Sequence, residues 1–177
     1  MAGSKTQSGK PLLAGDPHIG FSVPAVWYEA HLQTPSFELY GHFQALNPFA
    51  LLGHNQVFGW SLTMFQNDDL DLIALPPNWD NLASHTELIT IKGQAPEELT
   101  LYSSDFGPII NAALGEEIPD TPIALWWAFL ETENPILDAF YDFNRANTLN
   151  KARTAASKIH APGLNLVWAN AEGDIAW

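Results

Sequence analysis

A chain of 177 residues has the length of one domain and can bury a core without a metal or a disulfide to hold it. The formal charge of −13, from 20 acidic and 7 basic residues, repels phosphate groups and argues against nucleic acid or anionic lipid as a partner. The absence of cysteine excludes disulfides and a cysteine nucleophile. No run of residues approaches the ~20 apolar positions of a membrane-spanning helix, and the N-terminus has no signal-peptide core, so no membrane association is expected.

The chain is rich in apolar residues and poor in charged ones. Hydrophobic residues make up 46% of it and charged residues only 15%, with seven Trp and ten Phe. Large aromatic side chains give wide contact area when buried or at an interface. We therefore expect part of the apolar surface to meet another chain, and exposed apolar strands would also allow the fragment to form a homo-oligomer.

The N-terminal half predicts a series of short strands separated by turns. Alternation and apolar runs place strands at residues 10–13, 25–32, 37–43, 50–52 and 57–64. Thr34-Pro35-Ser36 predicts a tight connection, Gly53-His54-Asn55 predicts a second turn, and Gly15-Asp16-Pro17 predicts a turn that presents His18 and Ile19. These segments indicate an antiparallel sheet.

The C-terminal half predicts further strands and then helices. Strands are expected at residues 87–91 and 98–102, both half-buried, at 123–130, fully buried, and at 163–169. Asn134-Pro135 predicts a helix with Asn as its cap, and a second helix is expected over residues 148–157. After the turn at 172–174, a strand begins at residue 175 that we expect the chain end to cut. The pattern predicts a single domain over residues 1–177 of the α+β class, with mainly antiparallel strands.

Few polar clusters suggest chemistry. Asp68, Asp69 and Asp71 place three hard oxygen donors within four residues, which suits calcium if other segments complete the shell, although a solvated acidic loop explains the pattern equally well. His18, beside a proline, is more typical of a structural histidine than of an acid–base catalyst, and His54 is expected to brace its turn. From the residues alone, the prediction stops at an α+β domain with a possible calcium loop.

A longer series of motifs resembles a known family. The series begins with Gly3-Ser4-Lys5-Thr6, Ser8-Gly9-Lys10-Pro11-Leu12-Leu13-Ala14 and Asp16-Pro17-His18-Ile19-Gly20, and continues with Gly53-His54-Asn55, Trp60, Asp68-Asp69-Leu70-Asp71, Gly107-Pro108-Ile109-Ile110, Ala161-Pro162-Gly163-Leu164-Asn165 and Gly173-Asp174-Ile175. In this order the motifs resemble the N-terminal part of the β chain of penicillin acylases.

The resemblance implies a four-layer αββα fold and an N-terminal-nucleophile amide hydrolase. In such enzymes autoproteolysis of a precursor exposes a Ser at the first position of the β chain, and the α-amine of that Ser serves as its base. Aligning Gly3-Ser4-Lys5-Thr6 with the family places the nucleophile a few residues upstream of Met1. We therefore expect this chain to be inactive alone, to pair with the α chain of the same precursor, and to come from a periplasmic protein.

The resemblance also implies roles for individual residues. The backbone N–H of Met64 would form half of the oxyanion hole, with an Asn side chain beyond Trp177 as the other half, and the carbonyl of His18 would orient the N-terminal amine. Asp68, Asp71 and the carbonyl of Leu70 would belong to a structural calcium site completed by the α chain.

The acyl group would be bound by aliphatic residues. By the same resemblance the pocket lining is Ile19, Leu51, Leu52 and Leu164, and without the family ordinary core packing explains these four residues better. The implied substrate is an amide of a hydrophobic acyl group. Two alternatives stay open: an acyl-homoserine-lactone acylase, and a non-enzymatic domain of the same fold that binds a ligand or partner.

Overall fold

The computed structural model describes residues 1–115 and 120–177. The chain separates into two compact units, one formed by Met1–Asn67 with Glu133–Trp177 and the other by Asp68–Thr132. Its strands are β1 (Tyr28–Thr34), β2 (Phe37–Phe43), β3 (Leu52–His54), β4 (Phe58–Met64), β5 (Leu70–Ala74), β6 (Ala83–Ile89), β7 (Glu97–Ser104), β8 (Gly107–Pro108), β9 (Ile123–Trp127), β10 (Leu164–Asn170) and β11 (Ile175–Ala176). Its α-helices are α1 (Asn111–Leu114), α2 (Ala128–Glu131), α3 (Ile136–Arg145) and α4 (Leu149–Ala156).

The first unit is built on one antiparallel sheet of six strands in the order β1-β2-β3-β4-β10-β11. The predicted hairpin around Thr34-Pro35-Ser36 is confirmed, because β1 and β2 pair with Thr34 opposite Phe37. Along β2 the residues Leu39, Gly41 and Phe43 are buried while their neighbours are less so, which is the period of two expected for a sheet with one covered face.

Helices α3 and α4, both predicted from the sequence, cover that face of the sheet. Phe140, Phe143 and Asn144 are buried on α3, and the Phe143 ring lies 6.0 Å from the Trp168 ring of β10. Thr148 caps α4 by accepting a hydrogen bond from the Lys151 N–H. Asn134, however, does not cap α3, because its side chain bonds to the backbone of residues 160 and 161 instead.

The second unit contains two separate antiparallel pieces, a β5–β9 pair and a β6-β7-β8 sheet. The two strands predicted near residues 87–91 and 98–102 exist, but the expectation that they are half-buried is wrong. Every residue of β6 and the first five of β7 are exposed, since no layer formed by the described residues covers either face of the hairpin. The single-domain organisation stays a prediction.

Three other sequence-based predictions differ from the structure. Residues 11–22 have no regular structure, because Leu12 pairs only with Met1 and not with a neighbouring strand. Gly53 and His54 lie in β3 rather than in a turn, and the turn follows at residues 55–57, closed by the Asn55 N–H donating to the Phe58 carbonyl. The expected strand over 123–130 ends at Trp127, where the chain enters α2 and leaves Leu130 exposed. Among the described residues no helix has both the length and the hydrophobicity needed to cross a membrane.

Candidate functional site

Met64 is the last residue of β4, and its backbone N–H is not hydrogen-bonded to the neighbouring strand β10. The Phe65 N–H donates to the Gly163 carbonyl at 3.0 Å. Because hydrogen-bonded and non-hydrogen-bonded pairs alternate in an antiparallel ladder, Met64, opposite Leu164, directs its N–H away from β10. On that other side β3 reaches only to Trp60, so no strand of the described chain covers the N–H. A donor at this position can bind an added oxygen atom.

His18 lies in the irregular segment that follows Pro17. Its Nε2 atom is 3.1 Å from an Asp16 carboxylate oxygen, and both side chains are 87% exposed. An ion pair this exposed contributes little free energy, so it does not fix the imidazole. The role predicted for this residue concerns its backbone carbonyl and stays a prediction.

Three of the four residues predicted to line an acyl pocket lie together. Leu52, Leu62 and Phe140 form a buried apolar cluster, and the half-buried Leu51 and Leu164 pack against it. Ile19 is not part of this cluster and is 46% exposed in the irregular segment. Five further side chains, which the sequence did not indicate for the pocket, also pack against the cluster: Trp27, Phe49, Ile136, Ile159 and Leu166. Because Leu51 and Leu164 are only half-buried, they can contact a ligand that Leu52 and Leu62 support from behind.

Asn144 holds the loop that carries Leu51. Its side chain is 1% exposed, and its Oδ1 accepts from the Ala50 N–H at 2.9 Å while its Nδ2 donates to the Ala50 carbonyl at 2.9 Å. Asn55 bonds in turn to the carbonyl of Ala146 at 2.7 Å. The sequence signal for this arrangement was an asparagine at a core-facing position of α3, since a buried amide needs partners for both its donor and its acceptor.

A cavity of about 730 Å³ lies between the sheet and the segment Pro11–Pro17. Its lining combines aromatic and imidazole rings with small residues, among them Tyr40, His42, His54 and Ser61. The Ser61 hydroxyl and the Trp27 indole N–H are buried there without a hydrogen-bond partner in the described part of the chain. Ser61 is covered by Gly15, where a Cβ atom would lie 1.7 Å from Oγ.

Glu38, on β2, is the centre of a surface network of polar side chains. Its Oε2 accepts a hydrogen bond from Gln56 at 3.0 Å, and its Oε1 lies 3.0 Å from His31 Nε2. These contacts, chiefly the one from Gln56 and then the one from His31, lower the pKa of the Glu38 carboxyl. The carboxylate is therefore the form that the folded chain favours.

The acidic segment of the second unit runs into β5. The Ala128 N–H donates to the Asp69 carbonyl at 2.9 Å, so these two residues form a hydrogen-bonded pair. The next pair, Leu70 and Trp127, is then a non-hydrogen-bonded one, and the Leu70 carbonyl points away from β9. Asp68 and Asp71 are exposed, and together with the Leu70 carbonyl they are hard oxygen donors of the kind that calcium prefers. The calcium site stays a prediction, for which these three oxygen donors have suitable chemistry. Across residues 1–115 and 120–177, no group of three or more His, Cys, Asp or Glu side chains is placed to hold a metal ion.

The fold is shared with a solved structure. The chain is similar to the thermostable penicillin G acylase from Alcaligenes faecalis, with a TM-score of 0.68 and 23% identity, over 90% of this chain and 30% of that one. The chain therefore has the fold of that acylase, and the predicted α+β class with mainly antiparallel strands is confirmed.

Sequence comparison gives the family. A family model described as penicillin amidase matches residues 1–177, so the chain belongs to the penicillin amidase family. Acyl-homoserine lactone acylase QuiP from Pseudomonas aeruginosa is 30% identical over all of this chain, and penicillin G acylase from Escherichia coli is 25% identical over 98% of it. The chain spans 23% and 22%, respectively, of the lengths of these two relatives.

Proposed function

We propose that the protein carrying this chain is an amidohydrolase that cleaves an amide bond to a hydrophobic acyl group, and that residues 1–177 are part of its β chain. The match of the penicillin amidase family model to the whole chain carries the proposal. The small share of each relative that the chain spans supports a larger parent protein. Exposed apolar side chains on the second unit, such as Leu88 and Leu101, support further packing partners, of which the α chain of the same precursor is the first.

The proposed nucleophile is a Ser a few residues upstream of Met1, freed by autoproteolysis. Its hydroxyl oxygen attacks the amide carbonyl carbon while its own α-amine accepts the hydroxyl proton through a water molecule. An α-amine suits this task because its pKa of about 8 lies near neutrality, whereas a Lys amine would already be charged. Collapse of the intermediate expels the protonated amine, and water then hydrolyses the ester to release the acid.

In this proposal the chain supplies the surroundings of the reaction. The Met64 N–H, left open at the end of β4, donates to the developing oxyanion, and the His18 carbonyl orients the α-amine. Leu51 and Leu164 contact the acyl group, the buried Leu52 lines the pocket behind them, and Ile19 joins them from its exposed segment. Asp68, Asp71 and the Leu70 carbonyl contribute to a structural calcium site whose other ligands come from the α chain.

Two substrate classes compete within this function. The 30% identity to a relative named acyl-homoserine lactone acylase supports an N-acyl homoserine lactone, and an aliphatic lining suits a fatty-acyl chain. The 25% identity to penicillin G acylase supports an aromatic acyl amide less strongly. Hydrophobic pockets discriminate weakly, by about 10- to 200-fold per methylene, so turnover must decide. A periplasmic location is proposed with either substrate.

The deciding experiment combines N-terminal sequencing of the mature β chain, purified from its native source, with turnover assays. We expect a Ser at the first position, a few residues before Gly3, and hydrolysis of either an N-acyl homoserine lactone or a chromogenic phenylacetyl amide. A mature start at Met1, or failure on both substrates, would contradict the proposal and favour a non-enzymatic binding domain of the same fold.

A further inference from the structure

The end of β4 is fixed by the segment that precedes β10. The Phe65 N–H donates to the Gly163 carbonyl at 3.0 Å, so the peptide next to Met64 is tied to Gly163. The contact is tight, since a Cβ atom on Gly163 would lie 2.7 Å from the Phe65 carbonyl oxygen and 2.0 Å from Asn67 Oδ1. Gly163 therefore helps to hold the peptide group that directly follows Met64.

The segment before Gly163 is held in turn by the Asn134 side chain, beside a contact between the His160 imidazole and the Glu133 carbonyl. Its Oδ1 accepts a hydrogen bond from the His160 N–H at 3.1 Å, and its Nδ2 donates to the carbonyl of Ala161. Ala161 is 1% exposed, so its carbonyl has little access to water as a replacement partner. The planar amide joins a donor and an acceptor in one group, which lets it bond to the backbone on both sides of one peptide.

We propose that Asn134 is a positioning residue for the oxyanion donor, acting through Ala161, Gly163 and Phe65 on the Met64 N–H. The inference rests on the proposed function, in which that N–H binds the oxyanion. An oxyanion donor must lie about 2.7–3.1 Å from the oxygen on which negative charge develops. A small shift of the strand end therefore weakens the hydrogen bond to the transition state more than it weakens binding of the substrate. Leu51 and Leu52 are held by different contacts, through Asn144, and keep the acyl group in place.

The test measures kcat and KM for the gene product from its natural start to its natural stop, with Asn134→Ala and Asn134→Asp. The substrate is the lactone or the phenylacetyl amide, whichever the wild type hydrolyses faster. For Asn134→Ala we expect kcat to fall about tenfold or more, towards the roughly 10²–10³-fold loss seen when an oxyanion donor is removed, with KM changed by less than about threefold. Asn147→Ala is the matched control, because Asn147 bonds only to the exposed Lys151 side chain among the described residues, and its kcat should equal that of the wild type.

Asn134→Asp adds a pH signature that links kcat to the hydrogen bond with the Ala161 carbonyl. A protonated carboxyl can still accept from His160 and donate to Ala161, whereas a carboxylate faces the Ala161 carbonyl with no donor. The ratio of its kcat to that of the wild type should therefore rise as pH falls, while the ratio for Asn134→Ala stays flat.

Four outcomes overturn the inference: an unaltered kcat in both variants, a change confined to KM, a flat pH ratio for Asn134→Asp, or failure of both variants to fold. A wild type without activity defeats the proposed function and this inference with it. An active wild type whose kcat is matched by both Asn134 variants defeats this inference alone.

Discussion

Three asparagines bond to backbone groups that the regular secondary structure leaves unpaired. Asn144 bonds to both polar atoms of Ala50, Asn55 bonds across to Ala146, and Asn134 bonds to the peptide groups at 160 and 161. A buried N–H or carbonyl without a partner costs about 1–3 kcal/mol, so each amide stabilises the loop that it contacts. The loop fixed by Asn144 carries Leu51 of the proposed acyl lining. The segment fixed by Asn134 leads to Gly163, whose carbonyl accepts from the Phe65 N–H beside the proposed oxyanion donor.

At the same scale, the Glu38 network predicts a measurable titration. Gln56→Ala removes the largest contribution to the lowered pKa, so the pKa of Glu38 should rise towards the ordinary value of 4.5. Since the folded-state pKa is the lower one, Glu38 stabilises the fold above the unfolded pKa, and this contribution is lost as the pH falls through the folded pKa. An NMR titration of the Glu38 carboxyl would show the change. Gln94→Ala, in an exposed turn of the second unit, is the control and should leave the pKa of Glu38 unchanged. The same titration midpoint in the wild type, Gln56→Ala and Gln94→Ala would contradict the network.

The elements of the first unit meet at unusually short distances where β2 and β3 pair. Gly41 lies opposite Gly53 in the register, and a Cβ atom on Gly53 would lie 2.3 Å from the Tyr40 carbonyl oxygen and 2.9 Å from the Gly41 Cα. Both neighbours are backbone atoms, which cannot move aside as the end of a side chain can. This close approach explains why Gly53 belongs to a strand although its motif predicts a turn.

Gly53→Ala should therefore separate β2 from β3. We expect a loss of about 3 kcal/mol in the free energy of unfolding, the upper part of the range for overpacked sites, and a fall of about 10 °C in Tm. Thermal unfolding followed by circular dichroism would measure both. Gly20→Ala is the control, because a Cβ atom there meets nothing within 4 Å. If the two variants unfolded at the same temperature, the close approach would not be a constraint.

The two units of the molecule differ in how much apolar surface they bury. Both clusters of buried core residues belong to the first unit, where α3 and α4 cover one face of the six-stranded sheet. In the second unit the hairpin of β6 and β7 leaves Leu88 63% exposed, and Leu72 on β5 is 54% exposed. Exposure of this kind supports the proposal that the chain functions within a larger protein, where further segments cover these faces.

At the scale of the whole protein, the proposed calcium site gives a third test. Calcium should raise the Tm of the complete, processed enzyme, because binding to the folded state alone stabilises it. The double variant Asp68→Asn with Asp71→Asn should abolish this rise. For residues 1–177 alone the rise in Tm should be small, because the calcium ligands of the α chain are missing. Differential scanning calorimetry with and without calcium makes the comparison. Asp80→Asn with Asp105→Asn is the control, because it removes the same charge elsewhere in the second unit and should keep the rise in Tm. An undiminished rise in the Asp68 and Asp71 variant would contradict the calcium site.

The sequence by itself determined the local elements and the family resemblance. Chain order and the period of apolar residues were enough to place β2, α3 and α4, because a strand or helix that packs on one face must repeat its apolar residues at its own period. The motif series led to the penicillin amidase family, which the match over residues 1–177 confirms.

Only the tertiary structure decided which distant residues meet. The open N–H of Met64 depends on where β3 stops pairing with β4, and the bonds from Asn134 and Asn144 join residues 26 to 94 positions apart in the chain. The exposed faces of β6 and β7 likewise carry an alternating pattern that predicts burial, and burial requires a covering layer that local sequence does not encode. Periodicity reports the backbone conformation of a segment, whereas contact between segments is set by the packing of the whole chain.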